Sequence, residues 1–368
     1  MKVTEVTVRT LKMRMKFPFE TSFGVLQDKE FLVLEAKTED GLVGYGEGVA
    51  FTAPWYTEET VTSMEHVLTQ FLIPAILHKE INHPDDLQAI FSSIRRNAMA
   101  KACLEGAFWD LYAQTTKQSL AQAIGGEAQR ITVGVSIGIQ PTVIQLLSTI
   151  EHYLHEGYKR IKIKIKPGWD VEVVKAIRER FGEIPLMVDA NSAYTLNDLN
   201  HLKQLDCYNL LMIEQPLAYD DIVDHAKLQR IMKTPICLDE SINSFEDARR
   251  AIELGSCKII NIKIGRVGGI TVAKQIHDYC QQHGIAVWCG GMLEAGIGRA
   301  HNVALTSLSN FTLPGDTAAS SRYWAQDIIQ PEVKVEDGYI EVPTNVGIGY
   351  KVNESLVEKF TVKKCIYN

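Results

Sequence analysis

Five short apolar runs in the middle of the chain each end on a charged residue. RIKIK ends on Lys164, LMVD on Asp189, LMIE on Glu214, ICLD on Asp239 and NIK on Lys263. Successive members of this set are 25, 25, 25 and 24 residues apart. That interval holds one strand and one amphipathic helix, and DVEVVKAIRERF and FEDARRAIELG read as two of the helices. Alternating strands and helices build a parallel sheet. Eight strand-like runs follow one another: ITVGVSIGI, RIKIKIK, IPLMVDA, LLMIEQP, TPICLDE, CKIINIK, IAVWCGG and NFTLPGD. Eight such units in about 190 residues describe a closed (β/α)8-type barrel. An open doubly wound sheet is the alternative. It would open on a glycine-rich dinucleotide turn, and none follows the first run.

The flanks have a different texture. Val3 to Phe17 alternates, Phe31 to Ala36 is a short apolar run, and Glu39-Asp40-Gly41 turns into LVGYGEG, which together read as antiparallel sheet. Helical spacing follows over Thr57 to Ile73, with Pro74 as its expected stop, then over Pro84 to Ile94 and Ala98 to Thr115. Strands followed by helices make an α+β domain ending near Gly125-Gly126, and the last forty residues are strand-like again. The expected organisation is residues 1–125 as the α+β domain, 126–325 as the barrel, and 326–368 returning to the first domain.

Composition excludes several classes. A chain of 368 residues exceeds one ordinary core, and 46% apolar with 23% charged residues is normal for a soluble globular protein. A net charge of −7 argues against nucleic acid as a partner. MKVTEVTVRTLKMRMKF has no continuous apolar segment of the kind a signal peptide needs, and no window nears the ~20 apolar residues of a membrane span, so a cytoplasmic protein is expected. Seven cysteines without a CxxC pair suit reduced core residues better than a zinc site or a catalytic thiol.

In a (β/α)8 barrel the catalytic groups stand at the C-terminal strand ends. The five charged residues should therefore face one mouth at similar height. Three carboxylates, Asp189, Glu214 and Asp239, would repel one another there without a cation among them. Oxygen ligands with waters suit Mg2+, with Mn2+ or another divalent ion able to substitute. Any one of these acids could instead cap the following helix. Lys164 and Lys263 flank the set, and an ammonium near such an ion, partly desolvated, has its pKa pushed down and can act as a base. Lys162 lies two residues earlier on the same face of its strand and would shape the field around Lys164. Taken alone, the alternating Lys162, Lys164 and Lys166 favour a solvated strand face. Lys263 could also be a buried ion-pair partner of Asp239 or Glu214, or a Schiff-base lysine, although the latter chemistry has no use for three clustered acids.

KIK, VDAN, IEQP, LDES and NIKIGRVGG together resemble the muconate-lactonizing subgroup of the enolase superfamily, over essentially the whole chain. WCGGMLEAGIGRAHNVAL and FTLPGDTAAS are similar, more narrowly, to the o-succinylbenzoate synthase and N-acylamino acid racemase family. The resemblance implies a (β/α)7β TIM-like barrel with an α+β N-terminal capping domain that the C-terminal segment completes. It implies Mg-dependent removal of a proton next to a carboxylate. In the synthase this dehydrates 2-succinyl-6-hydroxy-2,4-cyclohexadiene-1-carboxylate for menaquinone biosynthesis; in the racemase it inverts an N-succinyl amino acid. By position, Asp189, Glu214 and Asp239 would bind the metal and Lys164 would be the base, with Lys162 beside it. Lys263 would stabilise the enolate or reprotonate it from the opposite face. Asn191 and Glu240 would support the ligands. Phe19, Phe23 and Ala50, in the capping-domain loops 19–24 and 49–55, would contact substrate, together with Ser136, Gly291 and Met292; for these, packing or turn roles compete.

The resemblance further implies a small carboxylate substrate, and a homo-oligomer, dimer or octamer. Two departures discriminate within the superfamily. WCGG carries no histidine, so the mandelate-racemase His base is absent, and PGDTAAS has Asp316 but no DxD pair, which weakens a dipeptide epimerase. A catalytically silent, metal-binding scaffold is the rival from another class, and the intact pair Lys164 and Lys263 argues against it.

Overall fold

The structure, a computed structural model, describes residues 1–21 and 24–368, with the side chains of 19–25 outside that description. Three antiparallel strands, β1 (Val3–Thr21), β2 (Gly24–Thr38) and β3 (Val43–Gly48), form a sheet whose fourth member comes from the end of the chain, Thr361–Tyr367. Val8 pairs with Leu34 on one side and with Cys365 on the other, so the terminal strand lies against β1. The long helix α1 (Ala98–Thr115) covers this sheet. Its backbone lies directly on β3. A Cβ at Gly44 would come within 2.2 Å of the Ala107 carbonyl oxygen, and one at Gly46 within 1.9 Å of that of Cys103.

Pro74 does not end the preceding helix as expected. Val61–Val67 passes through a π-helical turn, Leu68–Leu72, into a further turn, Ile73–Ile76, that contains the proline near its start. Pro74 is the second residue of that turn, a place where helices tolerate proline because an N–H there lacks an intrahelical acceptor.

Seven parallel strands follow in chain order: β4 (Val135–Ile137), β5 (Ile161–Lys164), β6 (Leu186–Asp189), β7 (Ile213–Glu214), β8 (Ile236–Leu238), β9 (Ile259–Ile262) and β10 (Ala286–Cys289). Helices cross between them, among them α2 (Val143–His155), α3 (Val171–Phe181), α4 (Val223–Ile231), α5 (Phe245–Leu254), α6 (Ile270–Gln282) and α7 (Gly296–Thr306). The eighth run, NFTLPGD, does not form the strand expected of it. It contributes a single bridge, Gly315 with Val133, yet it still closes the ring. The Gly134 N–H donates to Gly315 O at 2.7 Å, and the Asp316 N–H to Cys289 O at 2.8 Å. Pro314 removes a ladder donor from this segment, and its carbonyl accepts instead from the Arg160 guanidinium at 2.8 Å.

The alternation in RIKIKIK sorts as a barrel wall requires. Ile161, Ile163 and Ile165 are buried in the main core, Lys162 is buried inside the ring, Lys164 is half-buried at the rim and Lys166 is exposed. Below the mouth the barrel is filled by Met187, Met212, Cys237, Ile259 and Trp288. The Lys162 ammonium and the Arg160 guanidinium lie 4.7 and 4.9 Å from the Trp288 ring centroid.

The N-terminal sheet and α1 dock on the barrel through buried charge. Glu47 in β3 accepts from the Ala295 and Gly298 N–H groups at 2.7 Å each, at the start of α7. Glu105 in α1 accepts from the Ile270 and Thr271 N–H groups at the start of α6. Each carboxylate supplies a barrel helix with the acceptors its first turn lacks. Lys29 in β2 donates to the Met292 and Leu293 carbonyls at 2.9 and 2.6 Å. Among the described residues no helix is long and apolar enough to cross a membrane.

Candidate active site

Strand register brings the charged strand ends to one rim. Lys164 pairs with Asp189, and Asp189 with Glu214; Glu214 pairs with Cys237, two residues before Asp239. The three acids are at most 1% exposed. Lys164 Nζ reaches Asp189 Oδ2 and Asn191 Oδ1, each at 2.5 Å. Asn191 in turn donates through Nδ2 to Glu240 Oε1 at 2.8 Å, which ties the first lysine to the acid next to Asp239. Lys162 Nζ, one layer down, sits 2.7 Å from Asp316, 3.1 Å from Glu214 and 3.6 Å from Asp189. On the far side Lys263 Nζ lies 2.9 Å from Asp239 Oδ2, and Arg266 takes the other oxygen of the same carboxylate.

The electrostatics follow from this dry packing. Burial, reinforced by the charge of Asp189, pushes Glu214 up to about 8, and burial beside Asp239 and Asp189 pushes Glu240 up to about 7. Burial acts the same way on Asp239, but Arg266 and Lys263 outweigh it and hold that carboxyl well below its usual range. At Lys263 two influences oppose each other. Burial does favour its neutral form, yet the Asp239 carboxylate prevails and keeps it an ammonium. Lys162 is likewise held charged against burial, by Asp316, then Glu214 and Asp189.

As they stand, the three acids face lysines and an arginine. Among the described residues no three of His, Cys, Asp and Glu are gathered closely enough to hold an ion. In kind, the donors fit a hard divalent cation. All are oxygen, all are buried, and Glu214 carries the repulsion of Asp189 on top of its burial. Glu240 Oε2 is also buried in this cluster with no hydrogen-bond partner among the described residues.

The remaining expected positions are distributed as follows. Ser136 pairs with Lys162 in register, and its carbonyl accepts from Arg322 at 2.9 Å. Gly291 and Met292 follow β10; Met292 is buried, its N–H on Glu294 and its carbonyl on Lys29. Ala50 is fully buried. Phe23 and the side chain of Phe19 lie outside the described residues.

Four groups at the site escaped the sequence reading. Asn261 donates to Glu214 Oε1 at 2.8 Å; NIK repeats KIK in phase, so its inward direction was available from period-two alternation. Arg266 also donates to the Asn261 carbonyl at 2.6 Å, and Asp316 holds Lys162 and Arg160 together. Tyr56, from the loop after β3, places its hydroxyl 2.7 Å from Lys263 Nζ; nothing in the local sequence marks that contact.

Two family descriptions cover the chain: the mandelate racemase / muconate lactonizing enzyme N-terminal domain over residues 3–125, and the enolase C-terminal domain-like family over 145–356. The chain belongs to the enolase superfamily. It is 61% identical to an o-succinylbenzoate synthase of Geobacillus stearothermophilus, over 97% of this chain and 95% of that protein. It is 52% identical to an o-succinylbenzoate synthase of Bacillus subtilis, over 99% and 98% of the two chains. An N-succinylamino acid racemase of Thermus thermophilus is 48% identical over 98% of each. A crystal structure of an enolase-superfamily member from Listeria innocua superposes with a TM-score of 0.97 at 45% identity, covering 100% of this chain and 99% of that one. Enzymes of this superfamily generally use a divalent metal and act on small molecules.

Proposed function

We propose that this enzyme is an o-succinylbenzoate synthase, removing water from 2-succinyl-6-hydroxy-2,4-cyclohexadiene-1-carboxylate in menaquinone biosynthesis. The observation that carries the reading is the pair Lys164 and Lys263, on opposite sides of three buried strand-end acids in a chain similar to two such synthases over nearly its full length. In this reading Lys164 takes the proton next to the substrate carboxylate. Lys162, fixed between Asp316, Glu214 and Trp288, keeps positive charge beneath it. The C–H electron pair moves into an enolate, the neighbouring C–O bond breaks as the proton held by Lys164 passes to the departing oxygen, and the ring becomes aromatic as water leaves. Lys263 faces the developing negative charge as an ammonium. Asp189, Glu214 and Asp239 would hold a divalent ion, Mg2+ by preference, with Glu240 and Asn191 bracing them. When bound, such an ion supplies the positive charge that makes a carboxylate enolate accessible.

Racemisation of N-succinyl amino acids is the second activity of the same site, favoured by the Thermus relative and by the presence of a lysine for each face. There Lys263 exchanges a proton with carbon instead of standing by as a charge. The capping role of residues 1–125 and 326–368, the catalytic role of 126–325, a cytoplasmic location and a homo-oligomeric state, dimer or octamer, belong to the same proposal. Incubation with Mg2+ and the cyclohexadiene carboxylate should yield the aromatic product. Incubation with an N-succinyl amino acid in D2O should wash deuterium into the α-position. Failure of the first removes the synthase, and failure of the second removes the racemase.

A further inference from the structure

Tyr56 reaches across from the capping sheet to the far side of the barrel rim. Its loop is stiffened by its neighbours, since the Phe51 and Trp55 rings pack with centroids 4.3 Å apart and Tyr56 meets both edge-on. The hydroxyl accepts from Lys263 Nζ at 2.7 Å and from Arg266 at 3.1 Å, and donates to Asp239 Oδ2 at 3.3 Å. The Lys263 ammonium also sits 4.6 Å from the Tyr56 ring centroid. Lys263 therefore has two anchors, a carboxylate on the strand before it and a phenol from another domain. Among the described residues Lys164 has its hydrogen bonds with barrel residues, Asp189 and Asn191.

We infer that Tyr56 is a positioning residue that aims Lys263 at the second face of the substrate, so that this capping-domain side chain controls proton transfer on that face and not on the face of Lys164. The inference rests on the roles proposed above. Its physical basis is the different sensitivity of two tasks to aim. A lysine that stabilises an enolate through space acts by a charge whose effect falls slowly with distance. A lysine that must exchange a proton with carbon needs its nitrogen within hydrogen-bond reach and in line. Losing one of two anchors therefore weakens the second task and spares the first.

Tyr56→Phe tests this, because it keeps the ring and the cation–ring contact and removes only the hydroxyl. Lys164→Ala and Lys263→Ala first identify which enantiomer of an N-succinyl amino acid each lysine deprotonates, read as α-deuterium exchange in D2O with Mg2+. In Tyr56→Phe, exchange from the Lys263-dependent enantiomer should fall by about tenfold, the scale of a lost hydrogen bond to a charged group. Exchange from the other enantiomer, and kcat for dehydration, should stay within about threefold, so the ratio of the two exchange rates is the signature. Equal slowing of both enantiomers, no slowing of either, or a tenfold loss of dehydration would overturn the inference. A wild-type protein silent toward both substrates would remove the proposed function, whereas an active wild type with an unchanged exchange ratio in Tyr56→Phe removes the inference alone.

Discussion

His301 should make the joint between the two domains acid-labile. It sits in α7, buried against α1, where a Cβ on Gly106 would approach its ring to 2.7 Å. Its Nε2 is buried with no hydrogen-bond partner among the described residues, and Glu47 and Glu294 line the same small cavity. Burial pushes the imidazole down to about 4, against a weaker opposing hydrogen bond with the Tyr45 backbone. A histidine with a depressed folded pKa stabilises the fold above its unfolded value near 6.5 and loses that contribution as the pH falls toward the folded one. Between pH 7.5 and pH 5 the loss is about 2 kcal/mol, at roughly 1.4 kcal/mol per unit of pH once the unfolded chain is protonated. Urea unfolding, followed by the fluorescence of the buried Trp288 and Trp324, measures this at the two pH values for the wild type and for His301→Gln. The glutamine cannot titrate, so whatever it costs in packing cancels when each protein is compared with itself. The wild-type stability should drop about 2 kcal/mol more than the variant's over that interval. Parallel losses in the two proteins would refute the reasoning, since the remaining titrating groups, Glu47 included, are common to both.

Other expectations concern the site and the frame. Lys164→Ala should lower turnover by about 10²- to 10⁴-fold with an unchanged circular dichroism spectrum, the range that general-base removal produces. Chelation should abolish activity, and added Mg2+ or Mn2+ should restore it. Saturating ion at about 100 times its Kd should also raise the melting temperature, through about 2.7 kcal/mol of binding linkage that Asp189→Asn diminishes. Gly46→Ala should destabilise the protein by about 2–3 kcal/mol in the same urea assay, because its methyl has no room against the Cys103 carbonyl and α1 must shift.

The barrel could be read from the chain because its repeat writes the same chemistry at the same phase. Lys164, Asp189, Glu214, Asp239 and Lys263 recur with the strand–helix unit, and register then delivers them to one rim. The last segment broke the pattern for a local reason, since Pro314 cannot donate to a ladder and Gly315 makes the only bridge there. The π-helical turn before Pro74 left no mark in the apolar spacing, because the buried residues Met64, Leu68, Leu72 and Ile76 recur every four residues, as on the face of an ordinary helix. The alternation that marks Lys162 applies equally to Asn261, two residues before Lys263 on the same strand face. Tyr56 and Lys29 are different in kind. Their partners, Lys263 and the Met292 and Leu293 carbonyls, lie more than two hundred residues away, and no local periodicity reports a contact between domains.

The carboxylates of Glu47 and Glu105 have a consequence for exchanging parts between relatives. Each finishes a barrel helix that begins without acceptors of its own, so the first domain is a piece of the barrel's own wiring and not a lid laid over it. A chimera joining a foreign N-terminal domain to this barrel would inherit new recognition loops only if both acids arrived at the same two helix starts. Without them α6 and α7 would begin with bare N–H groups beneath an apolar seam, and the graft would fail at the joint before its selectivity could be measured.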